Sequence, residues 1–166
     1  ILAENPLPYN ETYKYFMFAC NSSMAWNECF NLTWGQITDL EKISKIQYKR
    51  KKTGAFRTLH ISKQARAYLG ERGNPEDKVF DLTSSVDNIN KRLQMWAKMN
   101  GINKHLTTHA GKRTFAYCFY LKTKDIFALQ QILGHNDLKS TQRYVSAFQI
   151  DTSKKMEEIT LSGGLY

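Results

Sequence analysis

In "LTTHAGKRTFAYCFY" (Leu106 to Tyr120), His109, Lys112 and Arg113 fall within five consecutive residues. His109 and Lys112 are three apart, so a helix puts them on one face near its N-terminus. Free backbone N–H groups and the helix dipole make that place suited to a phosphate oxyanion. A histidine standing alone there would by default be a helix cap. This one has company, because "LQQILGHNDLKSTQRYVSAF" sets His135 directly after Gly134 and puts Tyr144 nine residues later. Other chemistries lack their residues. His105 and His109 have an H-x-x-x-H spacing that suits zinc, yet Leu106 stands where a metalloprotease needs Glu, and no nearby Cys or carboxylate completes a ligand set. Neither a G-x-S-x-G elbow nor a phosphate loop ending in G-K-[ST] occurs.

The elements that must position these residues are mostly helices. Thr12 to Leu32 is apolar at near-helical spacing, interrupted by "NSS" at Asn21 to Ser23. Lys45 to Arg50 and Phe56 to Ile61 read as two strands around "KKTGA", with Gly54 supplying the turn. Ser62 caps a short helix through Leu69. The stripe Val86, Ile89, Leu93, Trp96 predicts a helix opened by Ser84 and Asp87 as a capping box and stopped by Gly101. Helices over about Ala110 to Leu121, from Asp125 to Gly134 and over about Leu138 to Phe148 complete the set. Trp26, Trp34 and Trp96 read as packing residues, and the end "SGGLY" as fraying. The expected fold is mainly α with a small antiparallel hairpin or sheet, in a single domain over residues 1–166.

Composition narrows the partner. The chain of 166 residues has 42% hydrophobic residues and a net charge of +9. Lys42, Lys45, Lys49, Arg50, Lys51, Lys52, Arg57, Lys63 and Arg66 follow one another with no Asp or Glu among them. Their mutual repulsion favours a polyanion, and nucleic acid fits better than a membrane because the run has no amphipathic helical pattern. The longest apolar run, "YFMFAC", is too short to span a bilayer, and no secretory signal is visible at the start. Beginning without Met suggests a piece of a longer chain. Cys20, Cys29 and Cys118 have no C-x-x-C spacing and read as reduced, mostly buried thiols of a cytosolic protein.

"THAGKRTFA", "LGH" and "STQRY" together resemble the C-terminal signature of the tyrosine recombinases, the phage-integrase-like family. That signature is H-x-x-R, T-F-A, L-G-H and a T-x-x-Y nucleophile. "NECFNLTWGQI" is similar to the family's E-L-L-x-L-x-W-x-D-I stretch, and "KKTGAFRTLHI" to its K-T-G hairpin. The resemblance covers roughly Glu11 to Phe148. It implies a DNA-cleaving and rejoining catalytic domain that works through a 3′-phosphotyrosine, with no nucleotide cofactor or metal. Tyr144 would be the nucleophile, His109 a proton-transfer group, and His135 a donor to a non-bridging oxygen. Lys52, with Lys51 as rival, would protonate the leaving 5′-oxygen, and Lys112 would belong to the phosphate clamp. Lys45, Lys49, Arg50, Lys51, Arg57 and Arg113 would contact duplex DNA. The segment Asp151 to Ile159 would dock on a neighbouring protomer, and a separate N-terminal DNA-clamp domain would lie outside this chain.

The chain departs from the family pattern twice. Lys112 stands where the motif has arginine, which keeps the charge and loses the planar fork. Ala25 occupies the place of the second arginine, three residues before Glu28, and no arginine precedes Arg50. A working site then needs another cation near Ala25, with Lys45 and Arg113 the first candidates. Two functions follow: a strand-exchange enzyme with an atypical clamp, or a catalytically impaired DNA-binding accessory protein of a mobile element. Either is expected in the cytoplasm, on the nucleoid.

Overall fold

The computed structural model of the chain describes residues 10–50 and 54–145. Lys51, Lys52, the segment Asp151 to Ile159 and the "SGGLY" end lie outside them. α1 (Asn10–Ser22) runs through the middle of the molecule, with Tyr15, Phe16, Phe18 and Ala19 all buried. Ser23, at φ 66°, ends it at the expected polar break, and α2 (Trp26–Asn31) follows. Edge-to-face aromatic pairs tie this region together, with Tyr15 and Trp26 ring centroids 5.0 Å apart.

The sheet is antiparallel in the order β1 (Ile37–Asp39), β2 (Ile43–Lys49), β3 (Phe56–Ser62). The two predicted strands are β2 and β3, paired so that Lys45 faces His60 and Lys49 faces Phe56. Period-two alternation buries Ile46, Tyr48, Leu59 and Ile61 in the large core and leaves Lys49, Thr58 and His60 on the outer face. β1 was not expected, because three residues are too few to display an alternation. Gly54, at φ 68°, makes the hairpin turn.

α3 (Lys63–Ala67) starts where Ser62 accepts from the Ala65 N–H, as expected. α4 (Val86–Met99) is capped by Ser85, which accepts from Asn88 N–H; the expected Ser84 sits one residue too early to reach the first turn. α5 (Thr108–Thr123), α6 (Ile126–Leu133) and α7 (Leu138–Val145) complete the described chain. Asp125 caps α6 and Gly134 ends it at φ 64°, both as expected.

The buried residues form two clusters. The large one joins α1, α2, the sheet and α4; the small one, Ala116, Leu129 and Leu133, joins α5, α6 and α7. α5 serves both, and Gly111 is what lets it lie close on α1. A Cβ there would stand 2.8 Å from the Ala19 Cβ. All three cysteines are free. Cys29 is buried, burial pushes the half-buried Cys20 thiol up to about 12, and Cys118 is exposed, contrary to the expectation of mostly buried thiols. Among the described residues no helix is long and apolar enough to cross a membrane.

Replacing Gly111 by Ala adds intrinsic helix propensity of about 1 kcal/mol. The new methyl group meets a Cβ and backbone, neither of which can swing aside, so α5 must lift off α1 at a cost of about 1–3 kcal/mol. Gly111→Ala should therefore lower the midpoint of denaturant unfolding, and a raised midpoint would disprove the close approach.

Candidate active site

The last carbonyls of α6 have no partners within their own helix. Cationic side chains from three distant elements take them. Arg57, on β3, donates from Nη2 to the carbonyls of Gln131 (2.6 Å) and Ile132 (3.2 Å). Arg50, just past β2, donates from Nη2 to Leu133 (3.0 Å) and from Nη1 to Gly134 (2.9 Å). Lys112, on α5, brings Nζ to 3.4 Å from the Leu133 carbonyl. Hydrogen bonding and the negative end of the α6 dipole act in the same direction here. Gly134 is favoured by its positive φ, and a Cβ there would displace the Arg57 guanidinium.

Glu28 holds Arg50 from the opposite side. Its Oε1 accepts from Arg50 Nε at 3.2 Å, and its Oε2 accepts from the Ala25 backbone N–H at 2.8 Å. The ion pair is largely shielded, with side-chain exposures of 21% for Arg50 and 12% for Glu28. Burial lowers the pKa of Lys112, Glu28 partly offsets this, and the charges of Arg50 and Arg57 push it further down.

His135 follows Gly134 and is fixed at three points. Its N–H donates to the Gln130 carbonyl, its own carbonyl accepts from Gln130 Nε2, and its Nδ1 lies 3.0 Å from Thr141 Oγ1. Burial lowers its pKa below 6.5, and Lys112 and Arg50 lower it further against the pull of Asp137. When the fully buried Thr141 hydroxyl donates to Nδ1 of a neutral ring, the ring proton is left on Nε2 as a donor. Tyr144 lies one turn further along α7, its ring centroid 5.4 Å from that of His135. Its ring packs on the small cluster.

Lys112, His135, Tyr144, Arg50 and Arg57 thus come together around the end of α6, although Lys112, the Arg50–Arg57 hairpin and the His135–Tyr144 segment are far apart in sequence. His109 is exposed on the first turn of α5, one turn before Lys112, and Arg113 is exposed beside it. Lys45 and Lys49 belong to the outer face of the sheet, with Lys49 Nζ 5.7 Å above the Phe56 ring. Lys51 and Lys52 fall outside the described residues. The acid-free run is not uncompensated, since folding brings Asp39 to Arg66 (2.8 Å) and Arg72 (3.3 Å). Sequence reasoning missed the roles of Thr141 and of the Glu28–Arg50 pair. Thr141 stands within "STQRY", three residues before Tyr144, a spacing that puts both on one helical face. Nothing local announces the Glu28–Arg50 pair. Among the described residues no three His, Cys, Asp or Glu side chains converge as metal ligands.

The phage integrase family model matches residues 3–149. The tyrosine recombinase XerC of Mannheimia succiniciproducens is 33% identical over 92 residues, 51% of this chain and 31% of that protein. XerC of Neisseria meningitidis serogroup B is 39% identical over 56 residues, 34% of this chain and 19% of its own length. The chain thus spans about a third or less of the curated relatives it matches. Among solved structures, the XerH site-specific recombinase bound to palindromic difH substrate superposes with a TM-score of 0.74 at 17% identity, covering 96% of this chain and 48% of that one. The catalytic domain of bacteriophage HP1 integrase gives 0.56 at 20% identity, covering 97% and 98%. With its family model matched over most of its length, this chain belongs to the phage integrase family and has the tyrosine-recombinase catalytic-domain fold.

Proposed function

We propose that this chain is the catalytic domain of a site-specific recombinase that cleaves and rejoins duplex DNA. The observation that carries the reading is the His135–Tyr144 contact beside Lys112, Arg50 and Arg57. The Tyr144 oxygen attacks the scissile phosphorus, a new P–O bond forms, and the P–O5′ bond breaks. His109 takes the phenol proton, and Lys52, or its neighbour Lys51, returns one to the departing 5′-oxygen. Covalent catalysis divides one hard displacement into two and keeps the bond energy in the phosphotyrosine, so no nucleotide is consumed. Nε2–H of His135 donates to a non-bridging oxygen, and Lys112 adds positive charge to the same group. The resemblance further supports self-association on DNA through Asp151 to Ile159 and work in the bacterial cytoplasm, on the nucleoid.

A second reading, a DNA-binding accessory protein with impaired catalysis, draws on Ala25, whose methyl group cannot hold a phosphate. The two separate on a pool of nicked suicide duplexes of random sequence. A recombinase captures some of them as adducts that survive denaturation, and Tyr144→Phe abolishes all capture. Binding without any adduct overturns the enzymatic reading in favour of the accessory one.

Thr141 is expected to act through the tautomer of His135. Thr141→Val keeps the shape and removes the hydroxyl, so adduct formation should fall by on the order of 10²-fold if the Nε2 donor is lost. Thr141→Ser should restore much of the rate, with DNA affinity unchanged in both variants. Equal rates for the valine and serine forms would rule this role out.

Salt dependence checks the DNA face. Lys45→Glu with Lys49→Glu should weaken binding to all duplexes alike, and the slope of log K against log salt should flatten by roughly 0.9 for each lysine that lies on a phosphate. An unchanged slope would remove these lysines from the interface.

A further inference from the structure

The hairpin arginines border a cavity whose described lining residues include no counter-charge. About 470 Å³ in volume, it opens between the hairpin and the end of α6. Among the described residues, Arg50, Arg57 and His135 line it together with Gly134, Asn136 and other uncharged residues, and no Asp or Glu does. Such a lining suits a compact anion. Arg50 also lines a second cavity, together with Glu28. Its Nε and one N–H from each Nη are spent on Glu28, Gly134 and Leu133. A guanidinium has five N–H donors, so among the described residues one on each Nη is not used by these bonds.

The same carboxylate that holds Arg50 also caps Ala25, one oxygen for each. The guanidinium therefore lies beside the backbone of the residue that lacks a cationic side chain. Lys45 is poorly placed for this: it is five residues back along the hairpin, about 16 Å at the rise of a strand, and of the opposite parity to Arg50. Arg113 is exposed on α5, where no geometry directs it to the cavity. Building on the recombinase reading above, we infer that Arg50, with Arg57 beside it, supplies the phosphate clamp absent at Ala25, and that the Arg50–Arg57–His135 cavity receives the non-bridging oxygens of the scissile phosphodiester. Glu28 is then a positioning residue, which fixes the guanidinium plane before DNA arrives.

The full chain and a duplex recovered by adduct capture provide the test. Arg50→Lys keeps a charge and loses the fork, so adduct formation on the phosphodiester should drop by on the order of 10²-fold. The same duplex with a neutral methylphosphonate at the scissile position has no charge for the clamp to neutralise. On it, the native and Arg50→Lys proteins should react at nearly equal rates. An equal loss on both substrates would make Arg50 a strut of the fold and overturn the inference, as would no loss on either. A readout needing neither cleavage nor a variant is titration of the native protein with inorganic phosphate, followed by NMR at Arg50 Nε–H and the His135 ring. Saturable shifts at both support the pocket even if no duplex is ever cleaved, whereas shifts at neither refute it.

Discussion

The exposed carbonyls at the end of α6 are the constraint around which this molecule is arranged. A helix C-terminus carries partial negative charge and unpaired acceptors, and burying it without partners is costly. Here the partners are Arg57, Arg50 and Lys112, drawn from β3, the end of β2, and α5. Satisfying one helix end therefore gathers three cations around His135, the residue that immediately follows it. Their mutual repulsion is tolerated because the α6 dipole and Glu28 face them. Burial first, and then the neighbouring positive charges, lower the pKa of both His135 and Lys112.

Packing transmits this arrangement to the rest of the fold. α1 is buried along most of its length and sets the distance between the sheet and α5. Gly111 brings α5 close enough for Lys112 to reach across to α6. The alternation of β2 and β3 separates two populations of base. Odd-numbered Lys45 and Lys49 lie outward, while Arg50 and Arg57 turn toward α6 at the hairpin end. The basic run is thus two surfaces that happen to be adjacent in sequence.

Local signals in the sequence were legible and long-range ones were not. Gly134, Asp125 and Ser62 could be read because caps and stops depend on residues within one turn. Tyr144 and His135 could be paired because a short loop joins their elements. The bond from Arg50 to Gly134 spans 84 positions, and no periodicity in either segment predicts it. Asp39 lies just before the basic run, so its neutralisation of Arg66, 27 positions on, was invisible as well. β1 escaped notice through its brevity, and the α4 cap was misread by one residue because Ser84 and Ser85 are chemically identical candidates.

The smallness of the second cluster has a consequence for time. Three fully buried apolar side chains, Ala116, Leu129 and Leu133, form the base on which Tyr144 and Val145 rest. The large cluster, with its aromatic pairs, is held far more firmly. A region with little apolar burial opens at a fraction of the global unfolding free energy, and its opening is an excursion within the native ensemble. On that principle α7 is expected to open while the rest of the fold stands. Each 1.4 kcal/mol by which its docking energy falls short of the global value lengthens its detached lifetime share tenfold at equilibrium. The presence of Tyr144 beside His135 is then a population, set by the apolar area packed beneath α7.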